Sequence, residues 1–171
     1  MDYHEDYYKG MSKVYFNKIL ATIIRLGNLK SQKGMILDFG CGHQYLKKRL
    51  PSQQVIGYDI IPALSDVEDY RILKPEVIVC NNILEHFTQS QIHEKIREFK
   101  EMNKSCTLIT ATPTENWLSK VGMFITGMTN AHDDHKSKLK EINSILEGYC
   151  NIQARKKVYT LSEVSVWKWK N

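Results

Sequence analysis

The sequence predicts a doubly wound α/β fold with a mostly parallel sheet, helices on both faces and an antiparallel C-terminal strand. Short apolar runs rich in β-branched residues alternate along the chain with segments of helical periodicity, and the first run ends in a glycine-rich turn. In folds built from such alternating units the ligand site lies at the carboxyl ends of the strands. We therefore expect the functional residues where the predicted strands end.

Helical periodicity predicts four helices. It is clearest in 88–103, where apolar residues recur in steps of three and four, and where Thr88 and Gln91 have the spacing of a capping box. Gly148 is expected to end the last helix. The predicted helices cover about residues 11–26, 45–50, 88–103 and 136–147.

Six short strands are predicted between and after these helices. In the last strand, strict alternation places Val164 and Val166 on one face, and Trp167 and Trp169 on the other. The predicted strands cover about residues 34–39, 54–59, 76–80, 106–110, 150–155 and 162–170.

The composition is that of one ordinary globular domain. The chain has 171 residues, of which 24 are Lys or Arg and 19 are Asp or Glu, and 42% are hydrophobic. Such a chain is neither disordered nor collagen-like. We expect a cytoplasmic protein, because its apolar runs are too short for a transmembrane segment and no secretory leader is visible. Peripheral membrane contact stays open, nucleic acid is the less favoured partner, and the pattern leaves the oligomeric state undetermined.

The four cysteines predict no zinc or redox site. They are Cys41, Cys80, Cys106 and Cys150, and no two of them have the two-residue spacing that such a site uses. We expect reduced and mostly buried thiols. Cys41 and Cys80 are interpreted as small core residues, because nothing beside them in the sequence would lower a thiol pKa.

The chemistry of the sequence concentrates at Asp38-Phe39-Gly40-Cys41-Gly42, which ends the first strand. The glycines allow a tight turn and a close ligand approach, and Asp59, at the end of the next strand, can accept hydrogen bonds from a ribose diol. A dinucleotide fingerprint would have a third glycine where this chain has Tyr45. The pattern therefore favours a nucleoside over a dinucleotide.

On these residues the sequence resembles the class I S-adenosylmethionine-dependent methyltransferases, which have a Rossmann-like fold. The resemblance extends over about residues 33–170 and is nearest to the small-molecule branch similar to ubiquinone-biosynthesis methyltransferases. The second-strand segment 55–59 and the segment 77–86, which ends in Leu-Glu-His, are also typical of the family.

The resemblance implies one methyltransferase domain over residues 1–171 that uses S-adenosylmethionine as cofactor. Its parts would be an N-terminal helical lid segment (1–30), a cofactor-binding half (33–110), an acceptor-pocket cover (113–135), and a C-terminal helix with strands (136–171). The implied activity is methyl transfer to an oxygen, nitrogen or carbon nucleophile of a small-molecule or lipid-linked acceptor. The implied cofactor-binding residues are Asp38, Phe39, Gly40, Gly42, Asp59, Ile60, Asp66, Asn81 and Asn82.

The sequence departs from the family in two places. A further glycine of the family is replaced by Gln44, and the segment 60–76 is short for the helix and strand that the family often has there. The resemblance therefore implies that this helix is missing or rudimentary. It assigns the contact with the adenine amino group to Asp66, although Asp69 would serve nearly as well.

No obligatory catalytic residue is implied, because the cofactor itself supplies the reactive methyl group. The histidines His86, His132 and His135 are candidate bases, and for His86 a structural hydrogen-bonding role is favoured. The resemblance places Trp117, Phe124 and His132 in the acceptor pocket.

No metal site is predicted. The four adjacent residues His132-Asp133-Asp134-His135 cannot all face one ion, and Asp133 or Asp134 is suited to be the N-cap of the helix that follows. Two other functions stay open beside small-molecule methylation. One is an RNA-modifying methyltransferase, and the other is a non-catalytic domain that binds S-adenosylmethionine.

Overall fold

The structure is a computed structural model that describes residues 10–114 and 136–170. Each of its strands overlaps a predicted one. The strands are β1 (Ile36–Phe39), β2 (Val55–Tyr58), β3 (Val77–Asn81), β4 (Thr107–Pro113), β5 (Cys150–Val158) and β6 (Ser162–Trp169). They form one sheet in the spatial order β2-β1-β3-β4-β6-β5.

The first four strands are parallel, and β6 is inserted antiparallel between β4 and β5. In the parallel part, Asp38 lies between Gly57 and Val79, so the ends of β1, β2 and β3 meet at one edge of the sheet. The predicted mostly parallel sheet with an antiparallel C-terminal strand is thus confirmed.

Helices cover both faces of the sheet, as predicted. They are α1 (Gly10–Leu26), α2 (Tyr45–Arg49), α3 (Gln89–Met102) and α4 (Leu139–Tyr149). On one face α1 and α2 pack over a core that contains Val79 and Ile109. On the other face α3 and α4 pack over a core that contains Ile78 and Leu108. Alternate strand residues therefore supply two separate apolar cores.

The C-terminal strand β6 shows the predicted alternation. Val164 and Val166 belong to the core under α1, whereas Trp167 and Trp169 belong to the core under α3 and α4. The buried indole of Trp167 donates a hydrogen bond to Thr110 Oγ1 at 3.0 Å, so the polar atom that burial takes from water is paired.

The predicted capping box is present at the start of α3. The Thr88 backbone N–H donates to Gln91 Oε1 at 2.9 Å, and the Gln91 N–H donates to Thr88 Oγ1 at 3.4 Å. Two backbone donors that the first helical turn leaves free are thereby satisfied.

The prediction for the last helix was wrong at both ends. This helix begins at Leu139, with neither Asp133 nor Asp134 as its N-cap, and it continues through Gly148 to Tyr149. Its start is delayed because Ser137 is tied to the turn after β3, donating from its backbone N–H to the Glu85 carbonyl and from Oγ to the Phe87 carbonyl. These contacts come from residues far away in the sequence.

The segment between β2 and β3 contains neither an α helix nor a strand. It has two single-turn 3-10 helices, Pro62–Leu64 and Tyr70–Ile72, as expected for a helix that is missing or rudimentary. As a consequence, β2 is an edge strand of the sheet.

Two further expectations can be compared with the described residues. All four cysteines are free and buried. No helix in the described part of the chain is long and apolar enough to cross a membrane. The N-terminal segment contributes α1, whose side chains Ile19, Leu20 and Ile23 are buried against the sheet. Its role as a lid stays a prediction.

Candidate functional site

The site begins at the glycine turn that follows β1. Gly40 and Gly42 both have positive φ, at 77° and 47°. The backbone N–H groups of Gly40 and Cys41 both donate to the Tyr58 carbonyl, at 2.8 and 3.0 Å. The turn is thereby held against the end of β2, at the carboxyl edge of the parallel strands.

The two glycines of this turn have different surroundings. A Cβ on Gly40 would lie only 2.7 Å from Ile83 Cγ1, whereas a Cβ on Gly42 would meet no atom of the described residues within 4 Å. Gly40 is therefore required for the turn after β3 to pack against the glycine turn. Gly42 instead faces open space, where a ligand can approach the backbone closely.

Asp59 connects the end of β2 to the glycine turn. Its Oδ2 accepts a hydrogen bond from the Gly42 N–H at 2.9 Å, and its Oδ1 accepts one from the Ile61 N–H at 3.0 Å. The carboxylate predicted to bind a ribose thus lies beside the open space at Gly42. The next residue, Ile60, is 87% exposed.

Asp38 and Phe39 have opposite environments. Asp38 is only 4% exposed, and within the described residues its carboxyl receives no hydrogen bond. Burial, followed by the negative charge of Asp59, raises the pKa of Asp38 to about 7. The Phe39 ring instead packs against Tyr70 and Phe99 on the α3 side of the sheet. Phe39 therefore presents only its backbone to the site.

Asp66 and Asp69, the two acids considered for adenine, have separate roles. The Asp66 backbone and side chain both bond to Gly57 on the open edge of β2, and its carboxylate also pairs with Lys47 at 2.8 Å. Asp69 accepts from the Arg71 N–H at 2.9 Å and caps the single turn Tyr70–Ile72. Only Asp66 therefore lies beside the end of β2.

At the end of β3 and in the turn after it, three buried side-chain oxygen atoms have no hydrogen-bond partner within the described residues. They are Asn81 Oδ1, Asn82 Oδ1 and Glu85 Oε2. Asn82 also has a left-handed backbone, with φ 51°. Buried polar atoms are rarely left unpaired, and unpaired atoms together with backbone strain are typical of ligand sites. Sequence reasoning missed Glu85, although it quoted the Leu84-Glu85-His86 motif.

The remaining predicted site residues are placed as follows. His86 is exposed and ends the single turn Leu84–His86, where its N–H donates to the Ile83 carbonyl. Trp117, Phe124, His132 and His135 lie outside the described residues.

Neither Cys41 nor Cys80 is prepared for nucleophilic attack. Burial is the largest cause that raises the pKa of Cys41 to about 12, and it also raises the pKa of Cys80 well above its usual value. No group of three metal-ligating side chains occurs among residues 10–114 and 136–170.

Comparison with solved structures identifies the fold class of the chain. No family model matches the chain, and no curated protein matches it. Among solved structures, an S-adenosylmethionine-dependent methyltransferase from Archaeoglobus fulgidus superposes with a TM-score of 0.66 at 15% identity, covering 98% of this chain and 100% of the other. The chain has the S-adenosylmethionine-dependent methyltransferase fold.

Two further structures share this methyltransferase fold. Magnesium protoporphyrin IX methyltransferase ChlM from Synechocystis PCC 6803, solved with bound S-adenosylhomocysteine, has a TM-score of 0.64 at 17% identity, covering 98% of this chain and 93% of the other. The N-methyltransferase NodS from Bradyrhizobium japonicum WM9 has a TM-score of 0.67 at 12% identity, covering 92% and 98%. The predicted Rossmann-like class is confirmed, and the ubiquinone-biosynthesis-like branch stays a prediction.

Proposed function

We propose that this chain transfers a methyl group from S-adenosylmethionine to a small-molecule or lipid-linked acceptor. The observation that carries the proposal is the open space in front of Gly42, beside the carboxylate of Asp59. A glycine backbone without side-chain obstruction beside a ribose-binding acid suits a nucleoside cofactor. ChlM, a protein of the same fold, was solved both with S-adenosylhomocysteine and with S-adenosylmethionine bound.

The charges of this edge fit the cofactor. S-adenosylmethionine carries a cationic sulfonium and supplies its methyl group as an electrophile. Asp38 and Asp59 place negative charge at the carboxyl ends of β1 and β2, and within the described residues neither forms an ion pair. Asp59 would accept from the ribose hydroxyls, and Asp66 would accept from the adenine amino group.

The chain's part in the reaction is to orient the acceptor in line with the methyl group and to exclude water. The free oxygens of Asn81 and Asn82 offer acceptors to donors on the cofactor or on the acceptor molecule. The segment 113–135, with Trp117, Phe124 and His132, is proposed as the acceptor-pocket cover. Its apolar composition suits a hydrophobic, aromatic or lipid-linked acceptor.

Calorimetric titration with S-adenosylhomocysteine, followed by transfer of an isotope-labelled methyl group to the metabolite and lipid extract of the source organism, tests this function. We expect binding and a labelled small-molecule or lipid product. Binding without transfer to any fraction would identify a non-catalytic domain, and absence of binding would contradict the proposal.

A second candidate function is RNA modification, which one charge pattern favours. Lys18 and Arg25 on α1 and Lys48 on α2 are exposed on the same side of the sheet, and within the described residues none forms an ion pair. Such side chains suit phosphate contacts. Binding of a host RNA fraction that weakens steeply with added salt, and that a triple Lys/Arg→Ala variant loses, would favour this function over a small acceptor.

A further inference from the structure

The carboxyl group of Glu85 has no role in the fold that explains its position. It is 2% exposed, and within the described residues its Oε2 has no hydrogen-bond partner. The carboxyl accepts one hydrogen bond, from the Glu85 backbone N–H. The other buried carboxylate outside the cofactor edge, Glu163, behaves differently, because it pairs with Arg155 at 3.1 Å and accepts from Asn143 at 2.9 Å. A buried carboxyl that only one backbone N–H compensates, without an ion pair, destabilises a fold, so its retention points to function.

The backbone around Glu85 is fixed from both sides. The Asn82 N–H donates to the Ala111 carbonyl of β4 at 2.8 Å, and the Glu85 carbonyl accepts from the Lys136 N–H at 2.8 Å. The carboxyl is therefore carried by a turn anchored to the sheet and to the segment before α4. Such anchoring is what a group that must meet a reacting atom requires.

This turn lies directly against the proposed cofactor site. Ile83, two residues before Glu85, occupies the space that a Cβ of Gly40 would need, with its Cγ1 at 2.7 Å from that position. The glycine turn and the Glu85 turn are thus packed on each other at the carboxyl edge of β1 and β3. Asn81 and Asn82, with their own free oxygens, lead into the same turn.

We propose that the Glu85 carboxylate accepts a hydrogen bond from the acceptor's nucleophilic hydroxyl or amine and takes its proton during methyl transfer. This inference rests on the methyltransferase function proposed above and narrows its acceptor to an O–H or N–H nucleophile. The acceptor oxygen or nitrogen forms the new bond to the methyl carbon. The carbon–sulfur bond breaks, its electron pair stays on sulfur, and the acceptor's proton moves to Glu85.

The surroundings of Glu85 suit a base. Among the described residues, the titratable side chains that respond to its charge are Tyr15 of α1 and Cys80 of β3, and both have raised pKa values. Within the described residues, neither β4 nor α4 brings a cation to the carboxyl. Burial raises the pKa of Glu85 to about 8, which is near the pH at which a general base works well.

The test compares Glu85→Gln, which keeps the shape of the side chain, with Glu101→Gln on the exposed face of α3. The assay is labelled methyl transfer to the acceptor fraction of the source organism's extract, beside calorimetric binding of S-adenosylhomocysteine. We expect Glu85→Gln to bind the cofactor product within threefold of the parent and to lose about 100-fold or more in kcat. It should also lose the acidic limb of its pH profile, because that limb reports protonation of the base. Glu101→Gln should match the parent in both.

Rescue of the transfer rate by formate is a second measurement, and a variant that had merely lost its fold would not show it. In Glu85→Ala, added formate should restore part of the transfer rate, because a small carboxylate can enter the vacated space. An unchanged pH profile in Glu85→Gln, or a product methylated on carbon, would overturn the proposal. So would transfer that a chelator abolishes and Mg²⁺ restores, because Glu85 with the Asn oxygens would then be a metal ligand. Absence of both binding and transfer in the parent protein would instead reject the methyltransferase function itself.

Discussion

The Asp59 carboxylate and the Gly42 backbone are joined by a 2.9 Å hydrogen bond that links the ends of β2 and β1. This bond makes the proposed ribose acid part of the glycine turn. A carboxylate oxygen that accepts one backbone N–H keeps lone pairs for a ribose hydroxyl. The same side chain can therefore shape the turn and bind the nucleoside.

Replacing Asp59 should weaken cofactor binding strongly. Asp59→Ala removes the acceptor of two ribose hydroxyls, each of which is expected to contribute about 1.5 to 3 kcal/mol as a hydrogen bond to a charged group. It also frees the Gly42 N–H. Titration with S-adenosylhomocysteine should show at least a tenfold rise in Kd. Glu68→Ala, an exposed acid in the same segment, is the control, and equal affinity in Asp59→Ala and Glu68→Ala would reject the ribose assignment.

Alanine substitutions at the two glycines of the turn should have different effects, one mainly on stability and the other mainly on cofactor binding. Gly40→Ala forces a Cβ against Ile83 at positive φ, so we expect a marked fall in Tm. Gly42→Ala carries only the cost of a left-handed alanine, roughly 1 to 2 kcal/mol, but its methyl group enters the open space proposed for the cofactor.

Thermal unfolding and S-adenosylhomocysteine titration of both variants check this difference. The larger loss of Tm should belong to Gly40→Ala, and the larger loss of affinity at a temperature where both are folded should belong to Gly42→Ala. A Gly42→Ala protein that binds like the parent would show that the open space serves no cofactor.

The free protein should be less stable at pH 8 than at pH 5.5. Burial raises the pKa of Asp38 to about 7 and that of Glu85 to about 8, above their values in the unfolded chain. At a pH between the unfolded-state and folded-state pKa values of such a carboxyl, the folded protein binds more protons than the unfolded chain. The free energy of unfolding therefore decreases as the pH rises, and each carboxyl contributes up to about 1.4 kcal/mol per pH unit. The lowered pKa values of Asp66 and Glu98 act only at more acidic pH.

Urea unfolding between pH 5.5 and pH 8 measures how the free energy of unfolding changes with pH. Asp38→Asn and Glu85→Gln should each reduce this pH dependence, and the double variant should show almost no pH dependence in this range. A parent protein whose stability rises from pH 5.5 to pH 8 would contradict the assignment of raised pKa values to these two buried carboxyls.

The sequence predicted what local patterns determine. The Thr88 capping box, the alternation of Val164 and Trp167, and the place of Asp59 beside the glycine turn all follow from short-range rules. The late start of α4 did not follow, because Ser137 is held by carbonyls about 50 residues away. Glu85 could not be recognised for the same reason, since its burial depends on which distant segments close over it.

The adenine assignment distinguishes Asp66 from Asp69. Asp66 bonds to the edge of β2 at Gly57, whereas Asp69 only caps a local turn and pairs with Arg71. Asp66→Asn should therefore raise the Kd for S-adenosylhomocysteine severalfold while leaving that for a nucleoside-free methionine analogue unchanged. All of its altered contacts, with adenine, Gly57 and Lys47, would lie on the nucleoside side of the site. Asp69→Asn is the matched control and should change neither value, since an asparagine oxygen can still cap the turn. If the Asp69 variant loses affinity and the Asp66 variant does not, the adenine amino group belongs to Asp69.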